Sequence, residues 1–267
     1  MTFKTGLATA LVAAVVAAIV SAATMVVTWR AAPGVIESPA ATMDETQVVE
    51  IVRDYLTENP EILVEMTTEL DKRQQAEEAS MQEKAISDNS DALFRSSKAF
   101  AAGNPDGDVT VVEFFDYNCG FCRRAMPVVV KLLDNDDKVK LVFKELPIFG
   151  DDSEDAAKGA LAAKIQGKYF EMHQKLFSEP GKANKEKVLR IANEIGLDVP
   201  KLEADMDGET VQEGLDEAKD LAQKLGLQGT PLYLIGDKII PGAPDDLYDQ
   251  LVENVTEIRE NGCTADC

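Results

Sequence analysis

The 267-residue sequence predicts an α/β domain, a mixed sheet with helices on both sides, behind a helical arm and an apolar N-terminal helix. Three observations carry that prediction. A β-branched and aromatic run, Val109–Phe115, feeds directly into a Cys-x-x-Cys that opens a helix. A second β unit, Pro231–Ile240, returns after a long helical stretch and precedes a closing helix. The composition is globular, with 45% apolar and 28% charged residues, so a packed core is expected. The charge narrows the function. With 27 Lys+Arg against 48 Asp+Glu, the net charge of −21 repels nucleic acid and anionic membrane surfaces, and neither is expected as a partner. One His and four Cys leave little for a His-ligated metal centre or a Ser-His-Asp triad, unless His173 alone carries it.

Residues 1–30 read as a signal peptide or a single-span membrane anchor. After Lys4 comes an uncharged run, Thr5–Trp29, closed by Arg30. Val20-Ser21-Ala22 is a tolerable cleavage site, yet the run is about as long as the ~20 residues that span a bilayer. A retained anchor is slightly favoured. Either way the bulk of the chain is exported, to the periplasm or an equivalent space, where disulfides persist. Residues 31–43, with two Pro, a Gly and small residues, read as a linker.

The helical arm and its connector occupy 44–107. Asp44 with Gln47 three on predicts a capping box, and Val48, Val52 and Tyr55 recur at helical spacing. Asn59 is placed as the N-cap of a second helix with Pro60 at its first position. Ile62, Leu63, Met66 and Leu70 continue the apolar stripe, after which DKRQQAEEASMQEK has almost none. Two readings stand at even weight: a solvated spacer, or a homo-oligomer formed through residues 44–84 as copies bury one another's stripes. Residues 85–107 read as a polar connector.

The globular domain is expected over 108–262. Its chemistry lies in Asp116-Tyr117-Asn118-Cys119-Gly120-Phe121-Cys122. A thiol at a helix N-terminus faces unpaired N–H groups and the positive end of the dipole, which favour thiolate, the reactive form. Arg123 and Arg124 are expected to add positive charge. Cys119 is therefore the candidate nucleophile, and Cys122, one turn on, the thiol that resolves a mixed disulfide. Half a zinc site and an inert disulfide are the weaker alternatives, since Cys263 and Cys267 lie far along the chain with different spacing.

The segment VVEFFDYNCGFCRRAMP resembles the active-site segment of the DsbA family of thioredoxin-fold disulfide oxidoreductases. KLVFKE at Lys140–Glu145, followed by Leu146-Pro147, is similar to that family's second central strand and its exit. The helical stretch of about 152–226 falls where the family inserts a helical domain. Gly229-Thr230-Pro231-Leu232 resembles the X-Pro that the fold keeps in cis beside the thiols. The arm and the apolar N-terminus resemble the exported, N-terminally extended, ScsC-like branch. The resemblance thus implies a thioredoxin fold with a helical insert, Thr230 and Pro231 beside the dithiol, and no cofactor beyond the redox-active disulfide.

Within the insert, helices are expected over Ala156–Gln166, Tyr169–Phe177, Lys185–Ile195 and Glu209–Leu225. His173, among aromatics at helical spacing, reads as a packing or surface residue. Glu113 interrupts VTVVEFF on the side of Val111 and Phe115, and a buried carboxylate needs a partner or a task. The resemblance assigns it the shuttling of the Cys122 proton, with Lys144 as a candidate partner. An edge-exposed Glu–Lys pair is the alternative. Cys263 and Cys267, in the tail 263–267, read as a local structural disulfide, or else as an accessory pair relaying electrons to Cys119–Cys122.

The implied function is thiol–disulfide exchange on exported proteins, with a membrane or soluble thiol redox partner. Thr230 leans it toward isomerase or reductase, as in isomerase-type members of the family. Gly120-Phe121 lacks the His of the strongly oxidising enzyme. A dedicated dithiol oxidase and a thiol-based copper- or zinc-handling protein are the competing readings.

Overall fold

The structure, a computed structural model, describes residues 44–263. The apolar N-terminal run, the linker and Cys267 lie outside the described residues. Among those described, no helix is long and apolar enough to cross a membrane. The chain divides into two compact units, ending and beginning at Glu69 and Leu70.

The first unit holds α1 (Glu45–Glu58) and the opening turns of α2 (Glu61–Asp88). The capping box forms as the sequence predicts: Gln47 N donates to Asp44 Oδ1 at 2.9 Å, and Asp44 N donates to Gln47 Oε1 at 3.2 Å. Asn59 differs from expectation. Its Nδ2 donates to the Tyr55 carbonyl at 2.8 Å, so it closes α1 rather than opening α2. The last carbonyls of a helix need donors as much as its first N–H groups need acceptors, and an Asn amide can serve either end. No residue of α1 is buried, and Val52, Tyr55 and Leu63 are each half exposed or more.

The second unit is a five-stranded mixed sheet with helices on both faces. Its strands are β1 (Phe100–Gly103), β2 (Val109–Phe115), β3 (Val139–Glu145), β4 (Leu232–Ile235) and β5 (Lys238–Pro241), in the order β1-β3-β2-β4-β5. Only β2 and β3 are parallel, joined by α3 (Gly120–Asn135). The insert comprises α4 (Asp151–Ile165), α5 (Tyr169–Ser178), α6 (Lys185–Glu194), α7 (Val199–Met206) and α8 (Glu209–Lys224), and α9 (Leu247–Asn261) closes the chain. Alternation along the strands sorts the core. Val111, Phe115, Leu141 and Phe143 face α3, α9 and the insert; Val112, Phe114 and Val142 face Ile86, Phe94 and the end of α8.

The stretch 85–107 is not the polar connector the sequence suggests. Ile86, Leu93 and Phe94 are buried, and β1 pairs antiparallel with β3 from Phe100↔Phe143 to Gly103↔Lys140. Four residues, three of them Ala or Gly, carry too little β signal to be read alone; the open edge of β3 supplies their partners. Helix α7, which the sequence reading passes over, starts from Asp198, whose carboxylate accepts from Lys201 N at 3.0 Å. Gly159 is required by packing, because a Cβ there would overlap Val188 of α6. Gly236 turns the β4–β5 hairpin at φ 61°.

Candidate active site

The site assembles where β2, α3 and the segment before β4 meet. Cys119 is the N-cap of α3: its N–H donates to the Asp116 carbonyl, and its own carbonyl accepts from Arg123 N, both at 3.1 Å. Its Sγ–H donates to the Thr230 carbonyl at 3.2 Å. The Thr230–Pro231 bond is cis. The structure thus brings Cys119, Cys122, Thr230 and Pro231 together as the resemblance implied. Cys119 is 3% exposed and Cys122 fully buried, and both are free thiols. Burial pushes the Cys122 thiol well up, and the nearby Glu113 charge adds to it.

Glu113 is buried, on the face that carries Val111 and Phe115, so the inward reading holds and the edge-exposed pair does not. Burial pushes its carboxyl up to about 8, opposed by a 3.0 Å hydrogen bond from the Tyr233 hydroxyl. Lys144 is not its partner. The register sets Glu113 against Phe143 and Phe114 against Lys144, which puts Lys144 on the opposite face. There its Nζ donates to Glu217 Oε1 and to the Ala92 carbonyl, both at 2.6 Å.

Arg123 also has a packing task. Its guanidinium donates to the Phe177, Glu179 and Tyr117 carbonyls, fastening α3 to the end of α5. Arg124 instead stacks over Phe121 at 4.5 Å from the ring centroid. Phe121, Ile148 and Phe149 form exposed apolar surface on the dithiol turn and the exit of β3.

Sequence reasoning missed Asp116. Its buried carboxylate accepts from Asn118 N at 2.7 Å, Ser153 Oγ at 2.8 Å, Ile148 N at 2.7 Å and Phe149 N at 3.2 Å. It binds the dithiol turn to the exit of β3 and the start of α4. An Asp between a strand and the Cys-x-x-Cys, where turns draw on Asx hydrogen bonds, was the available signal. Tyr233 gave none. His173 is buried rather than on the surface, and burial holds its pKa down to about 3.

Cys263 is disulfide-bonded. It packs against Gly236, at the end of β4 away from Thr230. A relay within one molecule has no support from that placement. Among the described residues, no group of three or more His, Cys, Asp or Glu is arranged to hold a metal ion.

A strand running into a helix-capping dithiol, opposed by a cis-proline, defines a thioredoxin-fold dithiol oxidoreductase. The chain belongs to the DsbA-like thioredoxin family: residues 110–255, more than half of it, match the DSBA-like thioredoxin domain. Residues 44–77 match the copper resistance protein ScsC N-terminal domain, which makes it ScsC-like. It is similar to a thioredoxin-like oxidoreductase from Silicibacter pomeroyi DSS-3, at 48% identity and TM-score 0.61 over 64% of this chain and 97% of that one. Proteus mirabilis ScsC in a transitional conformation gives 30% identity and TM-score 0.60 over 81% and 97%. Disulfide bond formation protein D of Bacillus subtilis (strain 168) is 28% identical over 57% of this chain and 73% of its own. The match to Na(+)/H(+) antiporter NhaA 1 of Mycobacterium sp. (strain KMS), 30% identical, covers 51% of this chain but spans only 23% of that relative's length.

Proposed function

We propose that this chain performs thiol–disulfide exchange on exported proteins in an extracytoplasmic compartment, acting as an isomerase or reductase rather than a dedicated oxidase. The observation that carries the reading is Cys119 at the start of α3, bonded to Thr230 before the cis-proline, with buried Cys122 and Glu113 beside it. The Cys119 thiolate attacks one sulfur of a substrate disulfide; that bond breaks and the other sulfur leaves as thiolate. In reduction, Cys122 gives its proton to the Glu113 carboxylate and attacks Cys119 Sγ, releasing the second substrate thiolate and forming the Cys119–Cys122 disulfide. In isomerisation, a substrate thiolate attacks the mixed disulfide and Cys119 is regenerated. Thr230 supports the isomerase or reductase direction through its likeness to isomerase-type members. The exchange needs no cofactor beyond the dithiol, and a thiol redox partner returns it to its starting state.

The compartment follows from Lys4 and the Thr5–Trp29 run, and similar proteins include a periplasmic thioredoxin-like protein from Salmonella enterica. Self-association through 44–84 would place several dithiols around one substrate. Copper in the name of the arm's matching domain favours thiol-based metal handling as the second reading. Cys122→Ser separates them: exchange predicts mixed disulfides trapped on Cys119 in a scrambled-disulfide refolding assay. Failure to trap any, with stoichiometric copper blocking alkylation of both thiols in the wild-type chain, refutes exchange.

A further inference from the structure

A second buried carboxyl group, Glu145, lies at the end of β3 on the face that holds Glu113. Its Oε1 accepts from the Tyr169 hydroxyl at 2.6 Å and lies 3.1 Å from the Tyr117 hydroxyl, which is itself 3.0 Å from His173 Nδ1. Its Oε2 is buried without a hydrogen-bond partner. The four side chains are 2% exposed or less. Tyr117 precedes Cys119 by two residues, whereas Tyr169 and His173 come from α5. The cluster therefore ties the insert and β3 to the dithiol turn, and the exchange chemistry above does not use it.

The single Tyr117 hydrogen cannot serve both Glu145 and His173. A neutral imidazole with its proton on Nδ1 resolves this: Tyr117 and Tyr169 both donate to Glu145 Oε1, and His173 Nδ1–H donates to the Tyr117 oxygen. Burial keeps the imidazole neutral, holding His173 down to about 3, and pushes Glu145 well above the usual carboxylate range.

We propose that Glu145 is a positioning residue for the dithiol, fixing Tyr117 and through it the Asp116–Cys119 turn, so that the cluster enters the redox equilibrium of Cys119–Cys122. Tyr117 is also held from its other sides. Its carbonyl accepts from Arg123, and its ring packs 4.8 Å from Phe177 and 5.1 Å from Phe115. An S–S bond holds the two sulfurs about 2.05 Å apart at a fixed torsion, a constraint on the turn that the dithiol lacks. A restraint two residues upstream therefore acts unequally on the oxidised and reduced forms.

The inference rests on dithiol exchange but not on its direction. The test uses the full chain, reading its equilibrium constant with glutathione and its thermal midpoint. Tyr117→Phe and Glu145→Leu are expected to shift the equilibrium constant by about fivefold or more, the scale of one buried hydrogen bond. Glu145→Gln, whose neutral amide can still bond Tyr117, is expected to stay within about twofold. A merely structural cluster lowers the midpoint and leaves the constant within about twofold in every variant, which overturns the proposal. If Glu145→Leu does not fold, Tyr117→Phe and Tyr169→Phe, each lacking one hydroxyl, decide the matter by the same readout. A wild-type chain that exchanges no disulfide with glutathione overturns the exchange reading itself, and this inference with it.

Discussion

Glu113 carries a pH signature. Its carboxyl ionises near 4.5 in the unfolded chain and near 8 in the fold, so between those values the folded chain binds more protons. Stability from this group is complete below pH 4.5 and is lost as pH rises toward 8. Urea unfolding of the wild type and Glu113→Gln is expected to diverge in the variant's favour from pH 5 to pH 8, on the order of a few kcal/mol. A difference independent of pH would mean that Glu113 is ionised in the fold. His173 gives a simpler prediction. It is the only His, so its imidazole resonance is unique, and it should not titrate between pH 5 and 8. A midpoint near 6.5 in the folded chain would place the ring in water. The charge that breaks VTVVEFF made Glu113 legible in the sequence, but Tyr233, its hydrogen-bond partner, lies 120 positions away and gave no local sign.

At the scale of elements, the ion pair of Lys144 and Glu217 joins β3 to α8 on the sheet face that carries Phe114 and Val142. Lys144 is 1% exposed and Glu217 17%. Glu217→Ala strips a buried ammonium of its counter-charge and is expected to cost about 3 kcal/mol in urea unfolding, whereas Lys144→Met with Glu217→Leu should restore most of it. Equal stability of all three chains would show that Lys144 reaches water. The sequence offers Glu113 as the partner of Lys144, and geometry is the reason that pairing fails. Glu113 and Lys144 sit on adjacent strands, but a parallel register of one residue decides which face each takes. The same register puts Phe143 beside Glu113 and leaves that carboxyl to Tyr233.

The whole-molecule question is the arm. Half-exposed Val48, Val52, Tyr55, Leu63 and Leu70 lie unburied in a segment whose acidic side chains outnumber its basic ones. Association through this stripe would bury apolar surface against like-charge repulsion, which salt screens. Light scattering of the chain from Asp44 onward is expected to show an oligomer that strengthens with salt and dissociates in Val52→Asp/Leu63→Asp, with loss of refolding activity on scrambled substrate. A wild-type monomer at every salt concentration would make the arm a spacer. Truncation for such work should spare 85–107, since Ile86, Leu93, Phe94 and β1 belong to the dithiol domain's packing.

The sequence by itself determined what depends on neighbours along the chain: the strand into Cys119, the cap on α1, the β4–β5 turn and most of the insert's helices. Each rests on period, cap or turn chemistry within a few residues. Only the tertiary structure decided which faces Glu113 and Lys144 take, that Phe100–Gly103 pairs with β3, that Arg123 serves carbonyls at the end of α5, and that Tyr117 meets both Glu145 and His173. Those depend on register and on side chains brought together by the sheet, and buried polar groups take whatever partner the packing leaves within reach.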